Sequence, residues 1–144
     1  MSKPKNYRFI VVDDEPIQLM MTKKIIHQIV ANSEVETFYQ PLTALEFIRQ
    51  HYNFNHEDGE VVLLLDLHMP VMNGLQFLDL FKDFDNTLKE RFKIFVVSFT
   101  SDESEIQAAR NHPCVSGFYA KPFTKALLHD VLSKANIAVN LANN

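Results

Sequence analysis

Val61-Val62-Leu63-Leu64-Leu65-Asp66-Leu67-His68-Met69-Pro70-Val71-Met72-Asn73-Gly74 decides the fold. Five aliphatic residues run into a single carboxylate. A short apolar run ended by turn residues reads as a strand buried on both faces, the kind found inside parallel sheets. Pro70 and Asn73-Gly74 then end the strand and turn the chain. Asp66 falls at the carboxyl end of the strand, the edge where open α/β sheets bind ligands. An acid at the tip of an apolar strand is costly unless something pairs with it. A metal, a cation or a reaction would meet that need; the alternative is an Asp that caps the next helix.

The same grammar repeats on either side. Tyr7 to Val12 reads as a first strand and runs into Asp13-Asp14-Glu15-Pro16. Three adjacent acids repel one another and point to a cation. They also suit a helix start, with Asp14 as cap, Glu15 in the first turn and Pro16 near its beginning. A first helix is expected from Pro16 to about Ala31, with Ile17, Met21, Ile25 and Ile29 inward and Met20, Ile26 and Val30 widening the stripe. Glu34 to Phe38 reads as strand two. Pro41 to about Gln50 reads as helix two, with Leu42, Leu45 and Ile48 inward. His51 to Glu60 is a polar loop whose His51 and His56 lack the partners of a metal site.

After Asp66, a third helix begins near Asn73 and carries Leu75, Leu78 and Phe81. Lys82 to Arg91 reads as a charged helix end and loop. Phe92 to Ser98 is strand four and ends in hydroxyls. Asp102 with Glu105 resembles a capping box opening helix four, about Glu103 to Asn111. Val115 to Ala120 is strand five and leads into Lys121-Pro122-Phe123. Thr124 caps a last helix that buries Leu127, Leu128, Val131 and Leu132, and the tail from Ala138 is expected to fray. Five strands alternating with five helices make a doubly wound α/β fold, a parallel sheet with helices on both faces.

The bulk numbers narrow the function. A chain of 144 residues suits one domain, and 47% hydrophobic residues suit a globular rather than a disordered one. A net charge of −4 without a dense basic run argues against general nucleic-acid affinity. Cys114 is the only cysteine, so no intrachain disulfide can form, in keeping with a reducing compartment. Met1 to Asn6 is polar, and no apolar run approaches the roughly 20 residues of a membrane span. A cytoplasmic location is expected.

The strand ends carry the chemistry. With strand order 2-1-3-4-5, strands one and three meet at the switch point and Asp13, Asp14 and Asp66 converge. Such a cluster of carboxylates needs a cation, and hard oxygen ligands suit Mg²⁺. Lys121 adds a positive charge at the same edge, and Ser98 adds a hydroxyl donor. Acids, metal, lysine and hydroxyl make a site for a phosphoryl group, whose transfer is mostly positioning and charge neutralisation.

These motifs together resemble the receiver domain of two-component response regulators, including single-domain members such as the chemotaxis receiver. The matching residues are Val11-Val12-Asp13-Asp14, Leu65-Asp66-Leu67-His68-Met69-Pro70 with Asn73-Gly74, Val97-Ser98, and Ala120-Lys121-Pro122-Phe123. The likeness runs from about Tyr7 to Leu132, which makes residues 1–144 one receiver with a polar C-terminal tail. The resemblance implies a flavodoxin-like fold and a signalling phosphoacceptor with only weak self-catalysis, not an enzyme. Asp66 would attack the phosphohistidine of a histidine kinase or phosphotransfer protein. Asp13, Asp14, the Asp66 side chain and the His68 backbone carbonyl would bind Mg²⁺. Lys121 would pair with Asp66 and then with the phosphoryl. Ser98 and the aromatic Phe118 would move inward together, changing the face of helix four, strand five and helix five that a target protein reads. For Phe118 the plain alternative is strand core. His68 and Thr100 lie two residues past the acceptor and the hydroxyl, where the family tunes dephosphorylation.

Some features depart from the family pattern. Phe99 stands where a small residue is usual, and its ring either narrows access to Asp66 or points away. Phe118 lacks the hydroxyl of the commoner Tyr. Thr100 competes with Ser98 as the hydroxyl, and Ser98 is preferred because the apolar strand stops just before it. Two alternatives remain: a binding-only receiver, and a phosphatase of the haloacid dehalogenase type, which would want an Asp where His68 stands. Output through protein contact, by a monomer or a weak phosphorylation-dependent dimer, is expected, with no DNA-binding domain.

Overall fold

The chain's structure, a computed structural model, describes residues 7–52 and 59–137. His56, the polar Met1–Asn6 stretch and the tail from Ala138 lie outside the described residues. The elements run β1 (Tyr7–Val12), α1 (Pro16–Ile29), β2 (Ser33–Phe38), α2 (Pro41–His51), β3 (Val61–Leu65), α3 (Gly74–Lys82), α4 (Asn86–Lys89), β4 (Phe92–Ser98), α5 (Glu103–Asn111), β5 (Val115–Ala120) and α6 (Lys125–Lys134). Every strand pairing is parallel, and the sheet order is β2-β1-β3-β4-β5. The expected helix four and helix five are therefore α5 and α6. The extra helix is α4, a single turn inside the charged stretch expected to be loop.

The central strand explains the architecture. All five residues of β3 are buried, with Val61, Leu63 and Leu65 in one core and Val62 and Leu64 in the other. Each such side chain contributes up to about 1.5–3 kcal/mol when taken out of water. A strand of this composition has to be covered on both faces. The first core adds Ala44, Ile48, Phe77, Leu78 and Phe81 from α2 and α3, and Ala109 from α5. The second adds Leu19 and Ile26 from α1 and Leu127, Leu128 and Val131 from α6.

The first helix meets the core as its spacing predicts toward its end, where Ile26 and Val30 are buried and Ile25 and Ile29 pack against them, but not at its start. Leu19, Thr22 and Ile26 are buried, whereas Ile17, Met20 and Met21 are exposed. A strict four-residue repeat drifts around a helix of 3.6 residues per turn, and the face that meets β1 is centred on Leu19 and Ile26. In α2, Leu42 likewise points to solvent while Ala44, Leu45 and Ile48 go inward. In α3, Phe77 joins Leu78 and Phe81 in the core, and Leu75 packs against its edge. The four expected core residues of α6 are all buried, under a Thr124 cap whose hydroxyl accepts the Leu127 N–H at 3.1 Å.

Candidate functional site

The sheet brings the acids together through its backbone ladder. Val12 is the register partner of Leu65. The residue after each is an acid, so Asp13 and Asp66 leave adjacent strands side by side. Their backbones continue the ladder: the Asp13 N–H donates to Phe38 O at 3.0 Å, and the Asp66 N–H to Val12 O at 3.0 Å. On the other side of β3, Ser98 pairs with Ala120, and the Lys121 N–H donates to Ser98 O at 2.9 Å. Four strand ends thus deliver Asp13, Asp66, Ser98 and Lys121 to one edge.

The side chains that meet there are buried. Asp13 is 5% exposed, Asp66 6% and Ser98 0%. Carboxylate oxygens of Asp13, Asp14 and Asp66 lie within 4.8 Å of one another. Lys121 Nζ donates to Asp13 Oδ2 at 2.6 Å and stands 3.6 Å from Asp66 Oδ2. The pairing of Lys121 with Asp66 expected from the resemblance is therefore the longer of two contacts. The reason is local: Asp13 Oδ1 accepts the Glu15 N–H at 3.0 Å, which leaves Oδ2 aimed at the ammonium. Asp14 does not cap α1; Glu15 holds that position and makes no side-chain cap bond, with Pro16 opening the helix. Asp14 is thereby left half-buried beside the other two acids.

Burial pushes the Asp66 carboxyl above its usual range. Lys121 and a hydrogen bond from the His68 backbone pull it down, while Asp13 and Asp14 push it up further. Three carboxylates against one ammonium leave a formal −2 in a largely dry setting. A divalent cation would balance that charge, and an all-oxygen donor set suits Mg²⁺ or Ca²⁺ better than a soft metal.

The loop after β3 is pinned from behind. Asn73 caps α3 by accepting the Gln76 N–H at 2.9 Å, and Gln76 Oε1 accepts the Asn73 N–H at 2.9 Å. Gly74 N–H donates to Leu67 O at 2.9 Å. A Cβ on Gly74 would lie 2.6 Å from Asp66 O, so only glycine lets α3 approach Asp66 this closely. Val71 in this loop is 97% exposed and has φ +70°, a region β-branched residues seldom enter.

The loop after β4 holds the residues of two open readings. Ser98 is fully buried at the strand end, and its Oγ accepts the Thr100 N–H at 3.3 Å. The Thr100 hydroxyl instead donates to Glu105 Oε1 at 2.8 Å. Phe99 is 65% exposed, and its ring centroid is 5.1 Å from Lys121 Nζ, so the ring lies over the ammonium. Phe118 is half-buried, packed against the first core, with the Arg110 guanidinium 5.7 Å from its ring centroid.

One residue escaped the reading of the sequence. Asp102 caps α5, accepting the Ser104 and Glu105 N–H groups. The reciprocal half of the expected capping box is missing, because the Asp102 N–H donates to Thr100 Oγ1 at 3.1 Å. The Glu105 side chain points toward the site loops, with Oε2 3.2 Å from His68 Nε2. Its sequence neighbours carry no sign of this reach. His51, doubted as a ligand, stacks on Phe47 with centroids 4.0 Å apart.

A doubly wound sheet with clustered acids, a lysine and a buried hydroxyl on one edge places its polar groups where open α/β sheets bind ligands. Residues 9–133 match the family model of the response regulator receiver domain, and the chain belongs to that family. The chemotaxis protein CheY-3 of Vibrio cholerae is 29% identical over 133 residues, covering 90% of this chain and 92% of its own. A response regulator receiver protein from Dyadobacter fermentans has a similar structure, with TM-score 0.79 and 26% identity, covering 92% of this chain and 99% of that one. CheY in the CheX–CheY–BeF3–Mg complex of Borrelia burgdorferi shares the fold, with TM-score 0.74 and 17% identity over 93% of this chain and 92% of that one. No helix among the described residues is long and apolar enough to cross a membrane.

Proposed function

We propose that this chain acts as a receiver, with its core from about Tyr7 to Leu132, that accepts a phosphoryl group on Asp66. The observation that carries this reading is the convergence of Asp13, Asp14 and Asp66 within 4.8 Å, with Lys121 bridging Asp13 and Asp66. An Asp66 carboxylate oxygen attacks the phosphorus of a phosphohistidine on a histidine kinase or phosphotransfer protein. The new O–P bond forms as the N–P bond breaks, and the imidazole leaves with the electron pair and takes up a proton. Asp13, Asp14, the Asp66 side chain and the His68 carbonyl would hold Mg²⁺, which when bound neutralises charge around the phosphoryl.

Lys121 turns from Asp13 toward the incoming oxygens, and Ser98 rotates its hydroxyl to donate to them. The phosphoryl adds about −1.5 to −2 of charge. That charge biases the Ser98 loop and Phe118, and with them the face of α5, β5 and α6 that a target protein reads. We place this activity in the cytoplasm, where the lone Cys114 stays reduced. His68 occupies the position at which a dehalogenase-type phosphatase needs an acid, which counts against sustained turnover.

The test is incubation with acetyl phosphate and Mg²⁺, followed by mass spectrometry of the intact and digested protein. An acid-stable, base-labile phosphate on Asp66, absent from Asp66→Asn, is the expected result. A folded chain that takes no phosphate would favour the binding-only receiver, the reading to which the Phe99 ring over Lys121 lends support.

A further inference from the structure

Two loops of this site are built alike. After β3, the backbone of His68 favours the charged form of the Asp66 carboxyl, two residues before it. After β4, the Thr100 N–H donates to Ser98 Oγ, again two residues before it, at 3.3 Å. Both loops end on one carboxylate. Glu105 Oε2 is 3.2 Å from His68 Nε2, and Glu105 Oε1 accepts the Thr100 hydroxyl at 2.8 Å. The Glu105 side chain is 33% exposed, so the bridge is partly shielded from water. Its own backbone is fixed in the first turn of α5, where the Glu105 N–H donates to Asp102 Oδ1.

We propose that Glu105 is a positioning residue for phosphoryl acceptance: its carboxylate clamps His68 and Thr100 and thereby holds the Asp66 and Ser98 side chains in register. The inference rests on the reading of Asp66 as acceptor and goes beyond it. Glu105 touches neither the reacting atoms nor a bound ion. It acts through the two backbones that contact the acceptor and the hydroxyl. Proximity explains why this matters, because an acceptor free to rotate spends less time in an attacking geometry. The clamp also joins α5, an element of the proposed output face, to both site loops through one side chain.

Glu105 also carries a charge, and an anion near the site repels a phosphodonor whether or not it clamps anything. The two roles separate cleanly. Glu105→Gln removes the charge but keeps an oxygen for Thr100 and an amide N–H for a neutral His68. Glu105→Ala removes charge and clamp together. The measurement is the initial rate of Asp66 phosphorylation by acetyl phosphate at saturating Mg²⁺, with melting temperature recorded for each variant. Glu105→Ala is expected to accept phosphate roughly threefold to tenfold more slowly than Glu105→Gln, the range that loss of one or two hydrogen bonds gives. In a His68→Ala, Thr100→Ala background the ratio of the two rates should fall to about one, as shared partners require.

Equal rates for Glu105→Ala and Glu105→Gln in the otherwise unaltered chain, with normal phosphate on Asp66, overturn the clamp and leave the acceptor reading standing. Absence of phosphate from the unaltered protein overturns both. A slowing that persists unchanged in the doubly substituted background also overturns the clamp, because the effect would then run through α5 alone.

Discussion

Lys121 gives its short contact, 2.6 Å, to Asp13 and stands 3.6 Å from Asp66. The ammonium is anchored on one acid, while its neighbour, with a carboxyl pushed upward by burial, has only the longer contact. This division suits a site in which one carboxylate is structural and the other reacts. Both partners of the 2.6 Å pair are nearly inaccessible, so its removal is costly.

Lys121→Ala strips from this cluster the one cation that the described residues bring to it. Loss of one partner of a buried pair costs about 3 kcal/mol or more. In metal-free buffer the variant is expected to unfold at clearly lower urea concentration than the parent. Added Mg²⁺ should recover part of the loss, because a ligand bound only by the folded state stabilises it. Equal recovery by K⁺ would show that general ionic screening, not the acid cluster, is responsible.

Asp66→Asn reports the burial of the Asp66 carboxyl. The folded-state pKa of Asp66 lies above its ordinary value of 3.8, with burial the largest cause. A group raised in this way contributes stability below its unfolded pKa and loses it as pH rises through the folded one. At neutral pH without metal, the ionised Asp66 therefore weakens the fold. Asp66→Asn should melt a few degrees higher there, with the gap closing as pH falls into the ordinary carboxylate range. Calorimetry across that range checks it, and a gap that widens on acidification would contradict the sign.

Gly74→Ala tests how closely α3 is pressed against the acceptor. The added Cβ would meet Asp66 O at 2.6 Å and Leu67 Cα at 2.9 Å, both backbone atoms with little room to give. Overpacking of this kind costs about 1–3 kcal/mol. Denaturant unfolding should show that loss. Phosphate uptake should slow as well, since the displaced backbone atoms belong to Asp66 and the residue that follows it.

Phe99→Ala frees the ammonium from the ring above it. An exposed cation–π contact is worth about 0.5–1 kcal/mol, equivalent to about a twofold to fivefold change in rate. Lys121 must leave the ring region to reach a phosphoryl oxygen. Faster uptake from acetyl phosphate with little change in melting temperature is therefore expected. Unaltered uptake would make the ring a bystander.

The strands were legible because their chemistry is local. β3, β4 and β5 each end where an apolar run meets an acid, a hydroxyl or a lysine, and β4, β5 and α5 fall within their expected bounds. The convergence of Asp13 with Asp66 followed from strand order alone. Three features were not legible. The start of α1 was not legible: its apolar residues spread around the helix, and Leu19, absent from the four-residue repeat, is buried where Ile17 and Met21 are exposed. The choice of Asp13 over Asp66 by Lys121 depends on the Glu15 amide, a backbone detail with no sequence signature. Glu105 reaches His68 across 37 positions of chain, and no periodic pattern encodes such a rotamer.

The order in which the pocket's members occur along the polypeptide has a consequence for biosynthesis. All three acids precede residue 121 in translation, while their sole lysine partner comes at the end of the edge strand β5. A chain that paired β1 with β3 before β5 was made would hold the acids together without this counter-ion. Charge balance arrives together with closure of the sheet, so a product truncated ahead of β5 would lack the counter-ion as well as the edge.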